Sequence, residues 1–199
     1  MVHQETEGLL SPYIRDIRLK MASSYIKKDS IVLDLACGEG YLSEFLPSNC
    51  KYYGVDRVPP SDTTKFTDFM LLDLREDSSL QRLKEWLPKK LNYITSLAFL
   101  EHLTNPGYFL NTYSKLLNSN GKVVATTPHP CGRKLHDSLS SIYLCSREGA
   151  KEHEYFLTKD DIKKIALESN GILSTYKRFL FGLNQIFVIE YLHKDKVIQ

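Results

Sequence analysis

The stretch Ile31-Val32-Leu33-Asp34-Leu35-Ala36-Cys37-Gly38-Glu39-Gly40 constrains this chain more than any other. A short apolar run rich in strand formers stops at two glycines one residue apart, and Tyr41 to Leu46 then reads as helical. Glycines after a strand let the backbone turn tightly and let a ligand approach it. A helix that starts there points free N–H groups at that ligand.

The rest of the chain repeats the strand-then-helix theme. A first helix is expected from about Leu9 to Lys27, with Leu10, Ile14, Ile17, Met21 and Tyr25 on one face. Lys51 to Asp56 and Phe69 to Asp73 read as the second and third strands, each ending in an acid. Asp77-Ser78 caps a helix carrying Leu80, Leu83 and Leu87, and a fourth strand spans about Leu91 to Ala98. Asn105-Pro106 is an N-cap and N1 pair for a helix that turns Phe109, Leu110, Tyr113, Leu116 and Leu117 inward. Asn120-Gly121 is expected to stop it, before a fifth strand from Lys122 to Thr127. Leu157-Thr158-x-x-Asp161-Ile162 supplies a cap, an acid at N3 and a hydrophobic staple for a helix to about Ser169. Two strands close the chain, about Leu173 to Phe179 and Gln185 to Leu192.

Alternating strands and helices imply a parallel sheet with helices on both faces. The last two strands are joined by about five residues, too few for a parallel crossover, so they form an antiparallel hairpin. The expected fold is α/β: a doubly wound, seven-stranded, mostly parallel sheet with an antiparallel C-terminal hairpin. At 199 residues and 42% hydrophobic content the chain fits one domain over residues 1–199, with an N-terminal helical segment 1–29.

Charge narrows the partners. With 26 Lys and Arg against 24 Asp and Glu, the net charge is +2, and the Lys pairs are scattered. A dedicated nucleic-acid binder shows a denser basic stripe, so nucleic acid is disfavoured. Cys37, Cys50, Cys131 and Cys145 form no C-x-x-C pair and read as free buried thiols in a reducing compartment. Met1 to Gly8 has no apolar signal region, and the apolar stretch Phe179 to Leu192 is broken by polar residues. A cytoplasmic protein with no membrane partner is expected.

Ligands of such sheets sit outside the carboxyl ends of the strands. Asp56 closes the second strand 16 residues after Gly40, where an acid can accept both ribose hydroxyls of a nucleoside. A nicotinamide dinucleotide would favour a third glycine, and here that position is Ser43. S-adenosylmethionine (SAM) has no phosphate to cradle. Its ammonium and sulfonium suit nearby acids such as Asp34 and Glu39, so SAM is favoured over NAD.

The run Val32 to Gly40 resembles the first motif of class I SAM-dependent methyltransferases, and Gly54-Val55-Asp56 resembles their ribose-binding second motif. Leu100-Glu101-His102-Leu103 with Asn105-Pro106, then Leu116-Leu117 through Gly121 to Thr126-Thr127-Pro128, is similar to the small-molecule branch. That branch includes the ubiquinone-type O-methyltransferases, and the small-RNA 2′-O-methyltransferases share similar stretches. The resemblance spans about residues 30 to 192 and implies a Rossmann-like fold with SAM as cofactor. It further implies that Asp34, Ala36, Cys37, Gly38 and Gly40 hold the methionine part and that Asp56 with Arg57 lies at the ribose. Asp73 and Leu74 would contact the adenine, and Leu97 and Phe99 would lie under the cofactor.

The chain departs from this pattern twice. Only about a dozen residues, including Pro59-Pro60, separate Asp56 from the third strand, and a diproline disfavours the usual helix there. The adenine side is therefore expected to be open or closed by a partner chain, which leaves room for a homodimer. Metal-binding relatives carry Glu-x-x-Glu-His with a later His. Here Ala98-Phe99-Leu100-Glu101-His102 lacks the first Glu, so no metal is expected even with His153 available.

The acceptor side is assigned to the long segment 128–156, which carries His129, Arg133, His136, Tyr143, His153 and Tyr155. A hydroxyl acceptor needs its proton removed, which suits a His. His102, just past the fourth strand, is the first candidate, followed by His129 and His153. Each could instead be a packing or capping residue. The sequence thus points to methylation of a small molecule or glycan, most readily on oxygen. The alternatives are an RNA 2′-O-methyltransferase, a non-catalytic SAM-fold partner subunit, or a nicotinamide oxidoreductase.

Overall fold

The computed structural model describes residues 11–88, 91–132 and 156–192. Thus His153, Arg133, His136, Tyr143, Tyr155 and Cys145, and most of the expected acceptor segment 128–156, lie outside the described residues. The elements are α1 (Ser11–Ser23), β1 (Ile31–Leu35), β2 (Lys51–Asp56), β3 (Asp68–Leu71), α2 (Ser79–Trp86) and β4 (Leu91–Leu97). They continue with α3 (Pro106–Tyr113), β5 (Leu117–Pro128), α4 (Lys159–Glu168), β6 (Ile172–Phe179) and β7 (Asn184–Tyr191). The strands form one seven-stranded sheet in the order β3-β2-β1-β4-β5-β7-β6. β7 runs antiparallel to both neighbours, and the other pairings are parallel. This is the Rossmann-like arrangement expected, and its strand order reverses between β1 and β4.

The helices divide unequally. On one face Leu83 and Leu87 of α2, Leu110 and Tyr113 of α3, and Ile162 and Ile165 of α4 pack on Leu33, Leu35, Ile94, Val123 and Phe187. On the other, Leu19 and Ala22 of α1 pack on Val32, Tyr93, Val124 and Val188. No second α-helix joins α1 among the described residues of that face. The helix expected over Tyr41 to Leu46 is a four-residue 3-10 turn, Tyr41–Glu44. The link after β2 holds only the 3-10 turn Thr63–Lys65, as Pro59-Pro60 forecast.

The helix caps follow local chemistry. Asn105 accepts a hydrogen bond from the Tyr108 N–H, with Pro106 at N1. Thr158 and Asp161 form a reciprocal capping box, with Leu157 and Ile162 both buried in one core cluster. Two expectations shift. The buried apolar residues of α1 are Leu19 and Ala22, followed by Ile26, with Ile17, Met21 and Tyr25 only partly buried beside them. The helix expected to reach Asn120 ends at Tyr113, and β5 begins at Leu117. Between Leu117 and Lys122 the pairing with β4 is irregular, with Asn120 at φ 68. Asn and Ser favour turns over helix interiors, which accounts for the early stop. Cys37 and Cys50 are half-buried free thiols, and Cys131 is exposed rather than buried.

Candidate cofactor site

The crevice lies where the strand order reverses, at the exits of β1 and β4. Both exits use left-handed backbone: Ala36 at φ 59 after β1 and Ala98 at φ 56 after β4. Such non-glycine residues cost about 1–3 kcal/mol each and cluster at functional sites. Gly38 and Gly40 continue the curl at φ 52 and 70. A Cβ added at Gly38 would meet nothing within 4 Å, so the loop presents open backbone there.

Asp56 locks this loop to β2. One carboxylate oxygen accepts from the Gly38 N–H at 2.8 Å and the other from the Val58 N–H at 3.0 Å. The Cys37 N–H donates to the Val55 carbonyl at 3.1 Å. Ala36, Cys37, Gly38 and Asp56 therefore sit together, and Gly40 lies beneath them against Phe66. Burial, together with Asp34 and Asp56, pushes the Cys37 thiol pKa upward, so this thiol stays protonated. Arg57 is exposed at the rim.

Asp34 is placed differently from the expectation that it faces the ligand's cations. It is 4% exposed, and its carboxylate accepts from the Tyr52 hydroxyl and the Thr95 hydroxyl, both at 2.6 Å. Burial raises its pKa to about 6, against the two hydroxyl bonds that lower it. Glu39 is likewise engaged, accepting from the Ser61 N–H at 2.9 Å and from its hydroxyl.

Just past β3, Asp73 pairs with Arg75 Nε at 2.9 and 3.1 Å, and this bond holds its pKa down at about 2. Leu74 belongs to the helix-side core, with its carbonyl taken by the Tyr113 hydroxyl at 2.8 Å. Leu97 and Phe99 are half-buried around Ala98, and Phe99 packs edge-on to Phe109 with ring centres 5.6 Å apart. His102 is exposed in the 3-10 turn Leu100–His102, beside the buried Glu101. His129 follows β5. Its Nδ1 accepts from the Cys131 N–H at 3.1 Å, which leaves Nε2 protonated, and burial with Arg178 lowers its pKa. His129 is thus arranged as a donor rather than as a base.

Arg18 and Gln185 were given no role from the sequence, whereas Ser96 and Thr126 lie in stretches that resemble the family pattern. Arg18 Nε, Ser96 Oγ and Thr126 Oγ1 are shut off from solvent with no hydrogen-bond partner among the described residues. Gln185 is fully buried and donates to the Pro128 and Leu157 carbonyls at 3.2 and 2.6 Å, tying together both ends of the segment between them. The available signal was a polar residue at a core-facing position of a strand or helix. Unsatisfied groups beside a strand-exit crevice fit a polar ligand. A cleft of 280 Å³ lies elsewhere, lined by Leu46, Asn49, Cys50 and Phe66 near the start of β2, away from the strand exits. Among the described residues no group of three metal-ligating side chains occurs, and no helix is long and apolar enough to cross a membrane.

Comparison with known proteins agrees with this geometry. A family model described as a methyltransferase domain matches residues 6–171. No curated protein matches the chain. Among solved structures, the fold is similar to a chain of the complex between the Haloferax volcanii Trm112 methyltransferase activator and a putative methyltransferase. That chain has a TM-score of 0.68 and 12% identity over 92% of this chain and 93% of the other. It is also similar to the Burkholderia thailandensis 1,6-didemethyltoxoflavin-N1-methyltransferase solved with S-adenosylhomocysteine (SAH). There the TM-score is 0.67 and the identity 13%, over 92% and 81% of the two chains. A third is the Synechocystis PCC 6803 magnesium protoporphyrin IX methyltransferase with bound SAH, at TM-score 0.61 and 16% identity over 92% and 88%. With a strand-exit crevice and free backbone and polar groups to fill it, the chain belongs to the methyltransferase-domain family and is a class I SAM-dependent methyltransferase.

Proposed function

We propose that this enzyme methylates a hydroxyl of a small molecule or glycan. The observation that carries the reading is the lock between Gly38 and Asp56 at the strand-order reversal, which presents open backbone beside a carboxylate. In this reading Ala36, Cys37, Gly38 and Gly40 take the methionine part of the cofactor, and Asp34 lends negative field from below. Asp56, with Arg57 at the rim, takes the ribose. Asp73 and the backbone of Leu74 face the adenine, and Leu97 and Phe99 form the floor. When bound, SAM supplies a methyl group activated by its sulfonium.

The near-neutral charge supports a small acceptor over RNA. Two of the similar structures are enzymes named for small molecules. Positioning and exclusion of water supply much of the rate in such a displacement. His102 is assigned to accept the hydroxyl proton, since His129 is tied as a donor. His153 is kept as the second candidate.

Titration calorimetry with SAH tests the cofactor half. Asp56→Ala should weaken binding by roughly 1–3 kcal/mol, the scale of a stranded polar group; unchanged affinity would remove the ribose assignment. Methyl transfer to a panel of hydroxylated metabolites and glycans, read by mass spectrometry, tests the acceptor half. His102→Ala should lower kcat by about 10²–10⁴-fold, and methylation confined to nitrogen or to RNA would overturn the reading.

A further inference from the structure

The segment just past β3 is a tight turn. The Glu76 N–H donates to the Asp73 carbonyl at 3.1 Å, which closes Asp73-Leu74-Arg75-Glu76 as a β-turn. That bond leaves the central peptide, between Leu74 and Arg75, to find other partners. Its N–H end is held by Asp73, whose carboxylate accepts from the Arg75 N–H at 3.0 Å. Its carbonyl end is held from across the fold, by the Tyr113 hydroxyl of α3 at 2.8 Å. The peptide plane is thus pinned at both ends, once by a near neighbour and once by a residue 39 positions away.

Tyr113 is itself held in place. It is 2% exposed, and its hydroxyl has a second bond of 2.7 Å, to Ser79 Oγ at the start of α2. Since the Tyr113 proton goes to Leu74, the Ser79 hydroxyl is the donor in that bond. The Tyr113 ring packs on Phe109 with centres 4.5 Å apart, and Phe109 packs in turn on Phe99 past the β4 exit. One side of α3 therefore joins the β3 exit to the β4 exit, where ligands of such a sheet sit. The cluster around the ring is apolar, with Leu72, Leu74, Leu83 and Leu110 among its members. Packing there asks only for a phenyl ring. The hydroxyl is the part that reaches the turn, and burying it is costly unless its bonds are made.

We propose that Tyr113 is a positioning residue for the adenine ring, its hydroxyl fixing the turn that presents Asp73 and the Leu74 backbone to the base. The proposal rests on the assignment of the adenine to those two residues. Adenine offers an amino donor and a ring-nitrogen acceptor on one edge. An ionised carboxylate only accepts and a backbone N–H only donates, so a turn held in one orientation matches that edge. Hypoxanthine carries an oxo acceptor and a ring N–H donor at the same places, and the same turn opposes it at both. Tyr113 acts on the choice of base through the turn, without touching the ligand.

The test uses the full chain and two probes in titration calorimetry, SAH and S-inosylhomocysteine, which differ only at that edge of the base. Wild type should bind SAH more tightly by about tenfold or more. Tyr113→Phe keeps the ring on Phe109 and removes the hydroxyl. It should lower SAH affinity by about threefold to tenfold, leave S-inosylhomocysteine within about twofold, and shrink the preference accordingly. Ser79→Ala takes away the second bond but leaves the one to Leu74, and should keep the preference within about twofold of wild type. An unchanged preference in Tyr113→Phe would overturn the proposal. So would an equal loss for both probes, the result that a purely structural bond predicts. Asp73→Ala addresses the underlying assignment separately and should also erase the preference. If it does not, or if wild type binds both probes alike, the adenine reading fails, whatever Tyr113 does.

Discussion

The two faces of the sheet carry the same strands but are covered by different means. The face bearing α2, α3 and α4 is closed by aliphatic side chains from three helices, as in most sheets of this kind. Among the described residues the α1 face has one α-helix, and a looped link follows β2. That link is anchored by specific contacts. Ser61 bonds the Glu39 carboxylate, Lys65 Nζ donates to the Glu39 carbonyl at 3.2 Å, and Phe66 stacks on Tyr52 with ring centres 4.9 Å apart. A Cβ on Gly40 or Gly54 would come within 2.3 or 2.2 Å of the Phe66 ring. One face is built for stability, whereas the other braces the cofactor loop with a few polar bonds and one aromatic ring.

The contrast breaks most sharply with a core truncation on the helix face. Leu83→Ala, at a fully buried position, should cost about 2–5 kcal/mol in chemical denaturation. Its SAH affinity should stay within about twofold of wild type; a larger loss would mean that aliphatic packing on the helix face also shapes the site.

The next effect belongs to Asp34, under the loop on the α1 face. Its pKa near 6 lies above the reference of 3.8. A raised acid favours the fold while protonated, so its contribution is full below about pH 4 and is lost as pH rises through about 6. The change amounts to roughly 3 kcal/mol. Asp34→Asn should therefore gain stability relative to wild type as pH rises from 4 to 7, and a difference that stays flat would contradict the buried placement. Since a cationic cofactor prefers the ionised form, SAM affinity should also fall as pH drops below about 6.

Smaller effects should appear in binding rather than in stability. Phe66→Leu keeps an apolar plug but leaves Gly40 less supported, and SAH affinity should fall by about threefold to tenfold, up to about 1.4 kcal/mol. Ser61→Ala removes the hydroxyl bond to Glu39 at an exposed position but keeps the one from the backbone N–H, and should change stability by less than about 1 kcal/mol. A twofold loss of SAH affinity would fit a bracing role for the hydroxyl, and none would leave the brace to the residue 61 N–H, Lys65 and Phe66.

Much of this was legible in the residues. The antiparallel hairpin followed from a connection too short to cross over, and the missing helix after β2 followed from Pro59-Pro60. The capping box at Thr158 and Asp161 and the Asn105-Pro106 start are local bonds between near neighbours, so local sequence specifies them. The 3-10 turn after Gly40 was not legible, because helical spacing cannot report how far a short segment will propagate without packing partners.

By itself, then, the sequence determined the order of the elements, the antiparallel direction of the last hairpin, the glycine turn, and the acid that closes β2. Each depends on chain distances of a few residues or on the length of a connection. Only the tertiary structure decided which polar groups are spent and which are left over. Asp34 and Glu39 lie close together in sequence, yet Tyr52, Thr95 and Ser61 consume them, while Arg18 Nε, Thr126 Oγ1 and Ser96 Oγ have no hydrogen-bond partner among the described residues. Hydrogen bonding between strands and helices far apart in the chain sets that balance. No local pattern reports it, because a side chain's partner is chosen by the folded surroundings rather than by its neighbours in sequence.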